Sequence, residues 1–356
     1  MEDKGSRGEA LGESIRALGR ALGFDALGFA PAAAPPHEGF LPVWLARGYA
    51  GDMAWLLRRV AERRDPRRLL PGAQTLIVTA LVYDSGEPQP ASPGCGRVSR
   101  YAGGEDYHRV LGDRLRALEA GLAPLAGFPV ASRSYVDTGP VLEREHAAQA
   151  GLGWVGKNTC LIHPALGSFL FLGVVITDLS LPADPAGIDH CGSCRACLDA
   201  CPTQAFPEPY VLDASRCLSY TTIELRERIP VDLREAQGNW LFGCDVCQEV
   251  CPWNSRRRRR IPPDPLGLRQ RMAPRKGALQ PALERILALD EAAWRALTRR
   301  SPVRRARFRG LLRNALVAAG NSGEAGLVAS VRGYAEGADA LLAEHARWAL
   351  EKLEAV

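Results

Sequence analysis

Cys191-Gly192-Ser193-Cys194-Arg195-Ala196-Cys197-Leu198-Asp199-Ala200-Cys201-Pro202 is the stretch on which the fold of this chain turns. Its spacing, Cys-x2-Cys-x2-Cys-x3-Cys-Pro, is the run with which bacterial proteins hold paired iron–sulfur cubanes. Further along, Cys244-x2-Cys247-x3-Cys251-Pro252 repeats the last three positions, and Cys217 stands in for the missing first member, displaced upstream by an insertion. Each 4Fe–4S cubane takes four thiolates, so two need eight. Eight of the ten cysteines lie between Cys191 and Cys251. In such pairs the proline-linked cysteine of each run serves the other cluster. The spacing therefore predicts Cys191, Cys194, Cys197 and Cys251 around one cluster. Cys201, Cys217, Cys244 and Cys247 are expected around the other. A zinc ribbon needs neither the third cysteine at x2 nor a Cys-Pro at x3, and a disulfide framework belongs to small secreted domains. Cys95 and Cys160 are surplus and read as ordinary cysteines.

Working outward, 356 residues with 46% hydrophobic and 24% charged side chains describe two or three domains of ordinary globular composition. The longest apolar run, Phe169 to Ile176, is too short to span a bilayer. With no signal-peptide pattern at its start, and thiolates that must stay reduced, the chain is expected in the cytoplasm. Its charge is unevenly placed. Between Arg256 and Arg313, eighteen Lys and Arg face four acids, a net of +14; the whole chain carries +5, so the remainder carries −9. A basic block on an otherwise acidic protein is a footprint for a polyanion. Arg256 to Arg260 alone read as a solvated linker. Arg304, Arg305, Arg307, Arg309 and Arg313 fall in a helical segment and are the expected nucleic-acid contacts.

Apolar periodicity predicts helices over 9–23, 53–62, 107–123 and 140–150, and strands over 27–30, 75–83, 97–101, 131–136 and 168–177. Residues 1–180 thus form an α/β or α+β domain, and the chain as a whole is expected to be α+β. Residues 181–260 are loop-rich and should fold around their clusters. Residues 261–356 are helical. Within them Leu311-Leu312-x3-Leu316 and Leu341-Leu342-x2-His345-Ala346 share an apolar spacing (Leu342-x3-Ala346 matching Leu312-x3-Leu316) that suggests stacked HEAT-like hairpins, with a plain helical bundle as the alternative.

Two motifs mislead. Gly151-x4-Gly156-Lys157 nearly spells a phosphate loop, but Asn158 replaces the Ser or Thr that would bind magnesium, and a helical pattern precedes it where a strand is required. Asp106-x-His108 resembles the start of the loop that gives cobalamin a histidine ligand. Leu111 stands where that loop needs glycine, so His108 reads as a satisfied structural histidine.

Other segments are more specific in combination: Val136-Asp137-Thr138-Gly139-Pro140-Val141-Leu142-Glu143-Arg144, Gly151-Leu152-Gly153-Trp154-Val155-Gly156-Lys157-Asn158, Arg97-Val98-Ser99-Arg100-Tyr101-Ala102, Ser219-Tyr220-Thr221-Thr222-Ile223-Glu224 and Arg309-Gly310-Leu311-Leu312-Arg313-Asn314-Ala315-Leu316. Together they resemble epoxyqueuosine reductases over nearly the whole chain, and more distantly the reductive dehalogenases. The resemblance implies a cobalamin-binding catalytic domain with a nitroreductase-like sheet (1–180), a ferredoxin-like module with two 4Fe–4S clusters (181–260) and a basic HEAT-like tRNA-binding domain (261–356). It implies reduction of the epoxide of epoxyqueuosine, at the tRNA wobble position, to queuosine. Cobalamin would bind base-off without a protein histidine, and an external low-potential donor would generate cob(I)alamin through the clusters. Asp137 would be the proton donor, which requires its pKa to be raised by burial; capping the helix near Pro140 is its alternative role. Expected corrinoid contacts are Arg64, Tyr101, Asp137, Lys157, Asn158, Leu161 and Ser168, with Ser219, Asp245 and Val246 approaching from the cluster side. The chain is expected to be a monomer with tRNA as partner and no membrane. Reductive dehalogenation of a small molecule, or a non-catalytic electron carrier, are the competing readings.

Overall fold

The computed structural model describes residues 4–83, 92–255 and 259–355, so Arg256 to Arg258 of the expected basic linker lie outside the described residues. The strands are β1 (Ala26–Pro31), β2 (Thr75–Val82), β3 (Arg97–Val98), β4 (Ser132–Tyr135), β5 (Trp154–Val155), β6 (Leu161–Ile162), β7 (Leu170–Thr177) and β8 (Trp240–Phe242). The main sheet runs β1-β2-β7-β4 with every neighbour antiparallel. That pairing settles the first domain as α+β and removes the α/β alternative.

Central β2 is buried along its whole length, and alternation assigns its two faces. Ile77 and Leu81 join Phe29, Phe171 and Val175 under the helices Lys4–Ala21 and Tyr107–Ala126. Leu76, Val78 and Ala80 join Val174 and Ile176 against Val141 and Ala147, beside the helix Glu143–Gln149. A helix covers each side, and the loops at one end of the sheet are left to build a site.

Several elements differ from expectation for local reasons. The strand expected over 97–101 ends at Val98 because Asp245 captures the Ser99 hydroxyl and the Arg100 amide, bending the chain into a 3-10 turn at Arg100–Ala102. The helix expected over 53–62 divides into Ala54–Leu57 and Val60–Arg64, with Arg59 left-handed between them (φ 60°). The helix expected from Pro140 begins only at Glu143, with Leu142 at its N-cap.

The tail is built on Arg307–Ser322, Val328–Ala335 and Ala340–Leu353. A Cβ on Gly320 would lie 2.9 Å from Ala349 Cα, so glycine there lets two of these helices approach closely. The tail does not close on itself alone. Leu311, Leu312 and Leu316 share one core with Tyr220, Ile223, Leu233 and Phe242, which come from the insertion between Cys217 and Cys244. Among the described residues no helix is long and apolar enough to cross a membrane.

Candidate active site

Cys191, Cys194, Cys197 and Cys251 line a single recess together with Lys157 and Trp253. The grouping follows from contact between the short helices Ala196–Asp199 and Val246–Glu249, which brings the second cysteine run against the first. Cys201, Cys217 and Cys244 are mutual electrostatic neighbours, and Cys247 lies beside Cys244 and Cys217. Donors already face these sulfurs, as iron-bound thiolates require. Trp154 Nε1 donates to Cys191 Sγ at 3.4 Å, and the Ala205 amide donates to Cys201 Sγ at 3.3 Å. The amides of Ser219 and Tyr220 point at Cys217.

Four of the residues expected to hold a corrinoid make hydrogen bonds to or within the cysteine loops. Lys157, buried, donates from Nζ to the Gly192 and Cys194 carbonyls (2.5 and 2.9 Å), and Asn158 donates to the Cys247 carbonyl at 3.3 Å. Ser168 is locked between Gln248 and Asn254. Asp245 is fully enclosed and spent on Ser99 and Arg100. Through these bonds the residues after the glycine-rich turn and their polar neighbours hold the cysteine loops against the sheet. Leu161 is buried in the core behind Ala147, and Arg64 pairs with Glu38 on its own side of the domain. Ser219 and Val246 remain beside the Cys217 and Cys244–Cys247 turns, and Tyr101 holds the centre.

Tyr101 belongs to a wall of rings. Tyr83, Tyr107, Phe171 and Phe242 all lie within 6.4 Å of it, centroid to centroid. At one end of the wall Tyr83 feels the charges of Asp245 and Cys160, beside the second cysteine site. At the other stands Asp137. Its backbone is left-handed (φ 55°), an uncommon conformation for a residue with a side chain, held because the chain must leave β4 and re-enter at Glu143. Its Oδ2 accepts from Tyr107 Oη at 2.8 Å and lies 3.4 Å from His108 Nε2. With the helix starting at Glu143, Asp137 is not its cap.

Burial pushes the Asp137 carboxyl up, but donation from His108 and Tyr107 outweighs it, and the group sits below the ordinary aspartate value. The side chain is nonetheless 64% exposed, so solvent reaches the carboxylate. Glu143 behaves oppositely: burial, reinforced by the Asp137 charge, lifts it to about 8, and its Oε1 has no hydrogen-bond partner. The Tyr135 hydroxyl, on the strand leading into the loop, is likewise unpartnered.

The tail arginines do not form one set. Arg304, Arg305, Arg307 and Arg309 are exposed, Arg305 pairing with Glu224 and Arg309 with Asp339. Arg313 is wholly buried, donating to the carbonyls of Thr221, Leu225 and Glu227. It cannot reach a phosphate, which corrects its assignment. Sequence reading also missed Trp55, 38% exposed with the Arg305 guanidinium 6.0 Å over its ring, and Glu143, whose only signal was proximity to Asp137.

Comparison with known proteins agrees with this geometry. Residues 190–254 match a family described as a 4Fe-4S double cluster binding domain, and residues 63–138 one described as epoxyqueuosine reductase QueG, DUF1730. An epoxyqueuosine reductase of Pseudomonas aeruginosa is 40% identical over 348 residues, covering 96% of this chain and 94% of the relative. The chain belongs to the epoxyqueuosine reductase family. Membership makes it an oxidoreductase. Two solved structures carry the same fold at 29% identity, each covering 96% of this chain and 90% of its own. One, at a TM-score of 0.85, is an epoxyqueuosine reductase with an epoxyqueuosine-modified tRNA-Tyr stem loop. The other, from Bacillus subtilis at 0.84, has an aspartate catalytic loop swung out of the active site.

Proposed function

We propose that this chain reduces the epoxide of epoxyqueuosine, at the wobble position of tRNA, to the cyclopentene of queuosine, with Asp137 delivering protons to the epoxide oxygen. The observation that carries the reading is Asp137 itself, held in a left-handed backbone at the end of an aromatic wall whose other end meets the second cysteine site. Opening an epoxide makes an alkoxide, and a positioned acid must neutralise it. Tyr107 fixes the carboxylate, and the rings of Tyr101, Tyr107 and Phe171 keep bulk water from one side of it. Two 4Fe–4S clusters, in the partition expected from the cysteine spacing, carry electrons inward from an external donor.

The residues present fit cobalamin. The unpartnered Tyr135 hydroxyl and Glu143 Oε1 flank the Asp137 loop and would meet its amide side chains, while Tyr101, Ser219 and Val246 would face the ring. Both nitrogens of His108 are engaged by carboxylates, which agrees with base-off binding. Bound there, cobalamin supplies a strongly nucleophilic reduced metal centre. The exposed tail arginines, near Trp55, supply cationic contacts for phosphates and a ring for an unpaired base. In this reading residues 1–180 are catalytic, 181–260 carry the clusters and 261–356 form a HEAT-like tRNA platform, with the insertion after Cys217 packed into that platform.

The test is turnover of an epoxyqueuosine-containing stem loop by reconstituted protein. Asp137→Asn is expected to keep cluster absorption and corrinoid binding while losing roughly 100-fold or more in rate. Undiminished turnover removes Asp137 from the chemistry, and consumption of a haloorganic substrate without queuosine formation overturns the tRNA assignment.

A further inference from the structure

Taking an epoxide oxygen away as water uses two electrons and two protons: one proton makes the hydroxyl as the first C–O bond opens, and a second makes the hydroxyl leave as water. One carboxyl holds one proton. In this chain that carboxyl rests ionised, because Tyr107 and His108 hold Asp137 below its ordinary pKa against the effect of burial. A proton source behind Asp137 is therefore required twice per turnover.

The structure places an imidazole there. His108 Nδ1 lies 2.8 Å from Asp106 Oδ1, and Nε2 lies 3.4 Å from Asp137 Oδ2. That Nε2 is buried and faces Asp137 Oδ2 across the 3.4 Å contact, with no other partner. The ring cannot turn away. It stacks on Tyr107 at 4.1 Å, and Tyr107 stacks on Phe171 at 4.1 Å and 7°. Asp106 is the N-cap of the helix Tyr107–Ala126 and accepts from the His108 amide, which fixes the backbone as well. Asp106, 28% exposed, holds the Nδ1 proton and so leaves Nε2 as the nitrogen that faces Asp137.

We propose that His108 is the proton store of the reduction, recharging Asp137 through the Nε2–Oδ2 contact so that both protons of the departing water pass through one carboxyl. Each cycle moves Nε2–H to Asp137 Oδ2 and Asp137 O–H to the substrate oxygen; Nδ1–H stays on Asp106, and the vacated Nε2 takes its proton back from solvent entering beside the exposed Asp137 side chain. The two electrons come from the external donor of the reduction already described. The proposal rests on Asp137 as the acid, and His108 acts through it without touching substrate.

Charge supports the geometry. Burial alone would discharge the ring, but hydrogen bonds and charge from Asp106 and Asp137 outweigh it and hold the imidazolium to about 9. The other charges facing the pair are Arg144 and Glu143 beside Asp137, Arg305 across the cleft and Arg109 beside Asp106. The folding linkage has a fixed sign. A pKa raised above 6.5 contributes stability that is full below pH 6.5 and is lost as pH rises through about 9.

The experiment compares His108→Asn, Asp137→Asn and Glu143→Gln with the parent between about pH 6 and pH 10. His108→Asn is expected to lower kcat by about 10- to 100-fold with KM little changed. It should also erase the alkaline limb near pH 9, and added imidazole should restore part of the rate. Asp137→Asn should not respond to imidazole. A His108→Asn profile that overlays the parent, or a limb lost in Glu143→Gln alone, overturns the store while leaving the acid intact. A fully active Asp137→Asn overturns the acid instead. Nitrogen-15 resonances of His108 in the unmodified protein, without cofactor, give a reading independent of turnover and of any variant's folding. An imidazolium at pH 8 is expected, and a neutral ring there refutes the proposal.

Discussion

The two cysteine sites share a ligand count and differ in everything around them. The first is open: Ile188 is 74% exposed, and Gly192, Ser193, Cys194 and Arg195 all face solvent. The second is enclosed by Leu218, Tyr220, Thr221, Thr222, Phe242, Gly243 and Asp245, every one buried. An electron path needs this asymmetry, with one end where a donor docks and the other where water is excluded from the reacting centre. The enclosure is made by the insertion between Cys217 and Cys244, and the insertion is held by the tail. Arg313 ties down the Thr221 carbonyl, Asn314 ties down those of Thr222 and Leu241, and the Thr222 hydroxyl receives the Gly243 amide next to Cys244.

Breaking that buckle should have the largest effect. Arg313→Ala strands the buried carbonyls of Thr221 and Leu225, at about 1–3 kcal/mol each before relaxation, and empties a fully buried side-chain site, so a loss of about 3 kcal/mol or more is expected. It should appear as a lower melting temperature and poor retention of the enclosed cluster, with iron content falling toward half. Neutralising Arg304, Arg305 and Arg309 together should leave stability and iron unchanged. Those exposed changes are instead expected to flatten the salt dependence of tRNA binding, by about two units of slope if each meets one phosphate of an unpaired loop. Equal melting temperatures for the two variants would erase the distinction between buckle and binding face.

A smaller difference separates the sites in the intact protein. Local opening governs access to an iron chelator, so the open site should lose iron on the order of 10-fold faster than the enclosed one. Cys194→Ala and Cys244→Ala, each removing one ligand, identify which signal belongs to which site. Loss of both signals at one rate would mean that the enclosure fails in solution.

How legible these regions were depends on what their residues must do. The proposed cluster ligands come from short consecutive runs whose spacing a cubane dictates, a pattern local enough to be read from sequence. The Asp137 site draws on the chain at 83, 101, 107, 137 and 143, brought together by antiparallel pairing of β4 with β7 and by one helix N-terminus. No local pattern announces that. His108 was legible only as an incomplete metal-ligand motif, whereas its spacing from Asp106 is explained by an N-cap whose carboxylate also holds the ring. Arg313 and Arg309 read alike as basic residues on one helix. Four positions apart is near one turn, but Arg313 meets the buried insertion, and sequence periodicity could not see that surface.

The finest contrast lies in a cysteine that the spacing leaves over. Cys160 follows Lys157 and Asn158, and its thiol lies beside that of Cys247, a proposed ligand of the enclosed site. The open site has an indole N–H in the corresponding place, from Trp154 to Cys191. Once Cys247 is an iron-bound thiolate it can only accept, so Cys160 becomes the donor. A donor to a cluster sulfur favours the reduced state, which carries the extra negative charge, and such bonds help set the potential of the cluster. Cys160→Ala should therefore lower the midpoint potential of the enclosed cluster and leave the open one in place, with iron content and fold preserved. Potentiometric titration followed by electron paramagnetic resonance resolves the two. A shift confined to the open cluster, or a loss of iron, would show that Cys160 is a ligand or a packing residue and that the second site is tuned by its enclosure alone.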